Sequence, residues 1–236
     1  GGIYGTRRQV CLQRSLLRAA LAPYGRLIFL SDRILPYLQS VIDRAWKSPV
    51  ARRLTELCAR TSLPVLDSAP YVHKILQGIP TEYFVKHAYY RSRRPRPEND
   101  VQPARDRCGL IWFAPILPFS NSQVWPFLDA CKPRFAAHGF DFYVAMLLMN
   151  PRSVICLMAI IYDQENADES ARSQQLYQEL LTIMHEHQFQ QYRAGLQSWR
   201  QLFQDAPELQ RLNAKIKAAL DPVNILAPGH YGVDQP

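Results

Sequence analysis

The sequence predicts an α+β fold, a largely antiparallel sheet with helices packed on one face. Three observations carry this. Helical periodicity alternates with short strand-like runs, and the runs in the middle of the chain meet through a tight turn or a single crossing helix. A 47% hydrophobic content over 236 residues is enough for a real core.

The elements follow in order. YGTRRQVCLQRSLLRAALAPYG sets Val10, Leu16, Leu17, Ala20 and Leu21 on one helical face, with Thr6 as cap and Gly25 as stop. RLIFLSD, Arg26 to Asp32, reads as a strand, and Ser31-Asp32 opens a second helix, RILPYLQSVIDRAW, with Pro36 in its first turn. From Ser62 to Arg107 prolines and aromatics replace periodicity, and so long an excursion reads as a functional wall or lid. CGLIWFAPILPF then reads as a strand and SQVWPFLDACKPRFAAHG as a helix closed by Gly139. DFYVAMLLM and SVICLMAIIYD are two strands about the turn Asn150-Pro151-Arg152. ESARSQQLYQELLTIMHEHQ is helical, with Leu176, Leu180, Ile183 and Met184 on its apolar face. Two more helical stretches lie near Gly195 to Phe203 and Pro207 to Leu220.

Composition excludes several functions. No apolar run reaches the roughly 18 residues of a membrane span, and the longest, Val154 to Tyr162, suits a buried strand. The chain opens on Gly1 with no charged-then-apolar leader, so any targeting segment is absent or lost upstream and localisation is not readable. Five scattered cysteines without a CxxC pair signal core thiols, neither disulfides nor zinc. The histidines offer no metal pattern, since His185 and His187 point to different helix faces. A formal charge of +8 raises nucleic acid as a partner, but the basic run Arg91 to Arg96 is interleaved with proline and reads as a solvated loop. No G-x-G-x-x-G or phosphate loop exists among the ten glycines, and no G-x-S-x-G elbow accompanies the serines.

Two features point to a site. Tyr192-Arg193 falls between two helices, where side chains are held on a rigid edge. At the end of the chain Asp221-Pro222 stops a helix, Pro228-Gly229 makes a second sharp turn, and His230 and Tyr231 project from it.

Taken together, YGTRRQV, RCGLIWFAPILPF, QYRAGL and LDPVNILAPGHYGV resemble, in that order, the vanillyl-alcohol oxidase and 4-cresol dehydrogenase family of FAD-linked oxidases. The resemblance covers essentially the whole chain and leans toward the 4-cresol dehydrogenase and eugenol hydroxylase side. It implies a cap domain of duplicated ferredoxin-like units over residues 1–190, and a segment 191–236 returning to the flavin-binding domain. The N-terminal FAD-binding domain is a partner this chain does not contain, which accounts for the missing phosphate cradle.

The resemblance also implies site residues. Tyr192 and Arg193 would bind the oxygen of a para-substituted phenol and favour its phenolate, the catalytic pair of a hydride transfer to flavin through a quinone methide. Trp112 would be an aromatic wall of the substrate cavity, with Ala145, Val154 and Met158 where relatives carry acid, base or hydrogen-bonding groups. Pro228, Gly229 and His230 would cover the flavin edge, with histidine where relatives carry a permanent cation. Gln102 and Leu110 stand where relatives tether FAD covalently, and Cys108 reads as a structural thiol, so FAD is expected to be non-covalent and no metal is expected. A c-type cytochrome is the implied electron acceptor, oxygen the alternative, a homodimer the implied assembly, and a bacterial periplasm or cytoplasm the implied setting. Two other readings stand beside this one: a catalytically incomplete fragment that only binds a partner, and a basic nucleic-acid-binding domain.

Overall fold

The computed structural model describes residues 2–25, 27–59, 63–195, 198, 203, 206–228 and 230. The chain forms two compact units, Gly1–Lys86 and His87–Pro236. The boundary expected between residues 190 and 191 falls inside the second unit.

The described elements of the first unit are all helices. Helix α1 (Arg7–Leu21) starts on a capping box in which Thr6 and Gln9 satisfy each other's backbone amides. Helix α2 (Leu35–Lys47) carries Pro36 in its first turn, as expected, and α3 (Pro49–Ala59) follows at once. Ile42 and Ala45 of α2 bury against Leu63 and Leu66 of α4 (Leu63–Leu76) in a small core.

Two expectations fail in this unit. The described part of RLIFLSD, Leu27 to Asp32, forms no strand. Apolar composition alone does not make one, because a strand is stable only where another can share its hydrogen bonds, and the described elements of this unit are helices. The supposedly aperiodic stretch from Ser62 contains α4 and a 3-10 helix, Glu82–Tyr89. Pro64 lies in the tolerated first turn of α4 and Pro70 only deletes one of its hydrogen bonds, so the prolines hid a helix without breaking it.

The second unit is built around a sheet. Strands β1 (Cys108–Phe113) and β2 (Pro115–Pro118) are the two halves of the predicted CGLIWFAPILPF strand, and α5 (Asn121–Ala137) crosses to β3 (Tyr143–Asn150). A turn leads to β4 (Ser153–Asp163), then α6 (Ala167–Glu186) returns to β5 (Gln190–Gln191). Every pair is antiparallel, with β4 between β3 and the β1/β2 strand, and β5 on the far side of β2. This is the ferredoxin-like βαββαβ order, and the described residues hold one copy of it. Helix α7 (Pro207–Leu220) follows. The helical stretch expected near Gly195 to Phe203 lies largely outside the described residues.

Alternation along β4 decides what the helices cover. Val154, Cys156, Met158 and Ile160 point with Phe113 and Leu117 into one core with Phe127, Cys131 and Phe135 of α5 and Leu176, Leu180 and Met184 of α6. Burying each large apolar side chain is worth about 1.5–3 kcal/mol, so this layer dominates the unit's stability. Gly109 of β1 is required by packing, because a Cβ there would meet the Tyr162 ring at 2.5 Å. Gly139, at φ +72°, ends α5 in the left-handed conformation that favours glycine.

Cys108, Cys131 and Cys156 are buried, as core thiols should be, whereas Cys11 and Cys58 are exposed. Burial pushes the Cys131 and Cys156 thiols up to about 12, which leaves them unreactive. The basic run is less free than its sequence suggests. Arg91 donates to Glu169 at 3.0 Å, Arg93 lies 3.4 Å from Asp163, and Arg94 pairs with Glu165. The run is a loop, but one fastened by charge to the residues around the start of α6.

Candidate functional site

The sheet face turned away from α5 and α6 carries Trp112, Ala145 and their cross-strand neighbours. In the β1/β4 register Trp112 stands opposite Ala159, and in the β3/β4 register Ala145 stands opposite Leu157 and Tyr143 opposite Ala159. These residues have the parity opposite to the core set, so Trp112, Tyr143, Ala145, Ile155 and Ala159 share one wall. Trp112 is 53% exposed.

Tyr192 joins this wall from the edge. Its amide donates to the Ala114 carbonyl at 2.8 Å, which continues the β2/β5 ladder beyond Gln191. Gln191 turns the other way, its side chain donating to the Tyr177 hydroxyl of the core at 3.3 Å. Alternation therefore sends Tyr192 to the Trp112 face. Arg193 folds back so that its guanidinium carbon lies 5.2 Å from the centre of the Tyr192 ring. Both side chains are exposed, and among the described residues no carboxylate pairs with Arg193. The result is a planar cationic donor over the ring of Tyr192, at the edge of an aromatic wall.

The expected cavity residues separate. Ala145 is on the wall with Trp112, but Val154 and Met158 are 1% and 0% exposed and belong to the helix-facing core. A shift of one residue along a strand exchanges its faces, and the wall positions are Ile155 and Ala159. The wall near Trp112 is thus apolar, without an acid or base from β4.

A cavity of about 330 Å³ lies on the same face. Tyr143, Ala159 and Ile161 come from the strands, Phe142 from the approach to β3, His87 from the last turn of the 3-10 helix and Tyr90 from just beyond it. Part of the proline-rich excursion is therefore a wall. Sequence reading did not locate this cavity, because its residues come from three distant stretches and share no motif.

Asp221 braces the terminal loop. This buried carboxylate accepts the Ile225 amide at 2.9 Å and the Leu226 amide at 2.8 Å, and Lys217 donates both to it and to the Leu226 carbonyl. The hydrogen bond from Lys217 holds the Asp221 carboxyl below the usual carboxylate range, and the two amides add to this against a burial effect of opposite sign. Asn224 takes a left-handed conformation, φ 53°, which asparagine tolerates. On this frame Val223, Ile225 and Leu226 are 73%, 74% and 62% exposed. Pro228 lies in the following turn and the His230 amide donates to the Ala227 carbonyl at 3.2 Å, while Gly229 and Tyr231 lie outside the described residues.

Near the expected tether positions, Gln102 donates to Asp100 at 2.6 Å and Leu110 stands opposite Ile161. Burial raises the pKa of the Cys108 thiol. Among the described residues no cluster of His, Cys, Asp and Glu is placed to hold a metal, and no helix is long and apolar enough to cross a membrane.

Comparison with known proteins gives these features a family. No protein-family profile matches the chain. The 1'-carboxy-chondrochloren decarboxylase of Chondromyces crocatus is 31% identical over 224 residues, 94% of this chain and 39% of that protein. The flavoprotein subunit of 4-cresol dehydrogenase (hydroxylating) from Pseudomonas putida is 32% identical over 127 residues, 53% of this chain and 24% of its own length. Among solved structures, p-cresol methylhydroxylase with substrate bound aligns with a TM-score of 0.63 at 21% identity, over 98% of this chain and 37% of that one. The 4-ethylphenol oxidase of Gulosibacter chungangensis, in its isoeugenol complex, aligns with a TM-score of 0.65 at 20% identity, over 98% of this chain and 38% of that one. At such identities the structures show a shared fold.

Fold and sequence together define a homologue of flavoprotein oxidoreductases. More narrowly, the chain belongs to the 4-cresol dehydrogenase and vanillyl-alcohol oxidase family of FAD-linked oxidases. It spans less than two fifths of the length of each of these relatives, a share that fits a cap portion.

Proposed function

We propose that this chain is the substrate-binding cap portion, with the C-terminal return segment, of an FAD-dependent oxidoreductase acting on para-substituted phenols. One observation carries the reading: the Arg193 guanidinium, 5.2 Å from the Tyr192 ring and without a carboxylate partner among the described residues, stands at the rim of the Trp112 wall. Ionising a phenol of pKa about 10 at neutral pH costs roughly 4 kcal/mol, and a fixed guanidinium with a hydroxyl donor offsets much of that. The bound phenolate then releases electron density through the ring to the substituent carbon attached at the para position, and loss of hydride from that carbon leaves a quinone methide that water attacks. Trp112 and Ala145 line the ring's site in this reading.

The chain's own residues fit one part of FAD. A loop braced by Asp221, displaying Val223, Ile225 and Leu226 and ending at Pro228, Gly229 and His230, suits the cover over a flat ring. Nothing in the sequence suits the pyrophosphate, which is left to a separate N-terminal FAD-binding domain. Bound FAD supplies the two-electron acceptor, and the absence of a tether at Gln102 and Leu110 favours non-covalent binding. A homodimer and a c-type cytochrome acceptor complete the reading by analogy with the family. The direct test is reconstitution with the FAD-binding portion: the Arg193→Ala protein should lose turnover of 4-cresol, and unchanged turnover would remove Arg193 from the site.

A second reading is favoured by the apolar wall. Ala145, Ile155 and Ala159 supply no base to activate water, whereas loss of carbon dioxide from the carbon next to the one that gave up hydride needs none, because the released bonding pair closes a side-chain double bond and restores the phenolate. The relative matched over 94% of this chain is named as a decarboxylase. Conversion of 3-(4-hydroxyphenyl)propanoate to 4-vinylphenol and carbon dioxide, without alcohol formation from 4-cresol, would select it.

A further inference from the structure

The 330 Å³ cavity is the feature that the phenol reading leaves without a task. Its relation to the wall is set by one residue. Ala159 lines the cavity, and it is the cross-strand neighbour of Trp112 on one side and of Tyr143 on the other. Directly opposed residues in an antiparallel pair bring their Cβ atoms to about 4.5–5.5 Å. Cavity and Trp112 wall therefore meet at a side chain with a single methyl group.

The chemistry of the lining specifies a neutral occupant. Arg91 and Asp141 also line the cavity, but Arg91 is already paired with Glu169 at 3.0 Å and lies 3.7 Å from Asp141, with the Phe140 ring 5.2 Å beneath its guanidinium. Its charge is answered by two carboxylates, so an anionic ligand finds no uncompensated cation there. Phe142, Tyr143, Ala159 and Ile161 present carbon. A dry cavity of about 150 Å³ holds a benzene ring, so this one has room for a ring or a branched alkyl chain.

We propose that the cavity bounded by Tyr143, Ala159 and Ile161 is a subsite for the neutral apolar substituent of a substrate whose ring lies against Trp112, and that the size of residue 159 sets how long a substituent is accepted. The proposal rests on the phenol reading for the ring but not for the cavity itself.

The test titrates the full 236-residue chain with two series, toluene to propylbenzene and 4-cresol to 4-propylphenol, following backbone amide shifts by NMR. Affinity should rise by about fourfold per methylene in both series, the value of a buried CH₂. Ala159→Phe should abolish that gain while circular dichroism stays native, and Ile161→Trp, at a half-buried position, serves if Ala159→Phe does not fold. A chain-length gain that survives in the folded variants, or shifts that bypass Tyr143 and Ile161, would overturn the proposal. The hydroxyl separates the two ideas: if propylbenzene shows the gain, but a hydroxyl adds no affinity and Arg193→Ala changes nothing, the subsite stands and the phenolate site falls.

Discussion

Trp112 of β1 and Ala159 of β4 face each other across the ladder, and this pairing sorts the whole strand. Odd-numbered neighbours of Ala159 look toward the Trp112 wall, and even-numbered ones, including Val154 and Met158, look into the α5/α6 core. Family resemblance alone pointed one residue away from the wall at both places.

The parity is open to measurement. Met158→Ala should lower unfolding stability by about 2–5 kcal/mol, the cost of emptying a fully buried site, and leave ligand shifts in the surviving native protein unchanged. Trp112→Ala should do the reverse, costing less than about 1 kcal/mol at a half-exposed position while removing the response to phenols. Urea unfolding and NMR titration of both proteins check this, and a stability-neutral Met158→Ala would refute the face assignment.

Arg193 should act through ionisation. In the complete protein Arg193→Ala should lower kcat/KM for 4-cresol by up to about a thousandfold, the equivalent of the phenol's cost of ionisation at neutral pH. The more telling readout is the pH profile, which should move toward the solution pKa of the phenol because solvent must then remove the proton. Arg193→Lys should recover only part of the loss, since an ammonium keeps the charge but not the planar fork of donors. A variant slowed equally at every pH would leave Arg193 a structural role only.

How much of this was legible follows from where each signal resides. Strands β1 to β4 and helices α5 and α6 carry their periodicity in consecutive residues, and Gly139 marks its helix end by a conformation few other residues adopt. RLIFLSD misled because strand formation depends on a partner, which no local pattern reports. Helix α4 was masked by Pro64 and Pro70. Strand β5, only Gln190–Gln191, is specified by the ladder with β2 rather than by its own two residues. Tyr192-Arg193 was visible as a motif, but the cavity at Ala159 was not, because the residues that enclose it lie far apart in sequence.

The Arg91–Glu169 pair should make the second unit acid-sensitive. Burial alone would raise the Glu169 pKa, but the hydrogen bonds from Arg91 and from the Asp163 amide at 2.9 Å outweigh it and the carboxyl is held low. A carboxyl depressed on folding contributes stability above its unfolded pKa of about 4.3, and loses it as pH falls through the folded value. Stability should therefore decline below about pH 5. Arg91→Ala should cost about 1–3 kcal/mol at neutral pH and flatten that decline, because the partner holding the carboxylate is gone. Chemical unfolding of both proteins from pH 7 to pH 3 measures the difference, and parallel curves would exclude the pair as the cause.

Asp221 makes the corresponding claim for the terminal loop, with a local readout. Its carboxylate holds the Ile225 and Leu226 amides while Lys217 bridges it to the Leu226 carbonyl, so the loop's shape hangs on one charged group. Asp221→Ala should quicken hydrogen exchange at these two amides by about tenfold to a hundredfold, the scale of hydrogen bonds to a charged acceptor, and leave β4 amides unaffected. Asp221→Asn keeps an acceptor but not the charge that draws Lys217, and should fall between. Since the Asp221 pKa is lowered, the bracing is present above the unfolded value of about 3.9 and is lost as pH falls through the folded one. If the loop's rigidity serves to present Val223, Ile225 and Leu226 to the flavin-binding portion, Asp221→Ala should also weaken assembly with that portion, with the Arg193 site still responding to phenols. Intact assembly with fast-exchanging amides would mean that the partner orders the loop on binding, and that its preset shape is not what recognition requires.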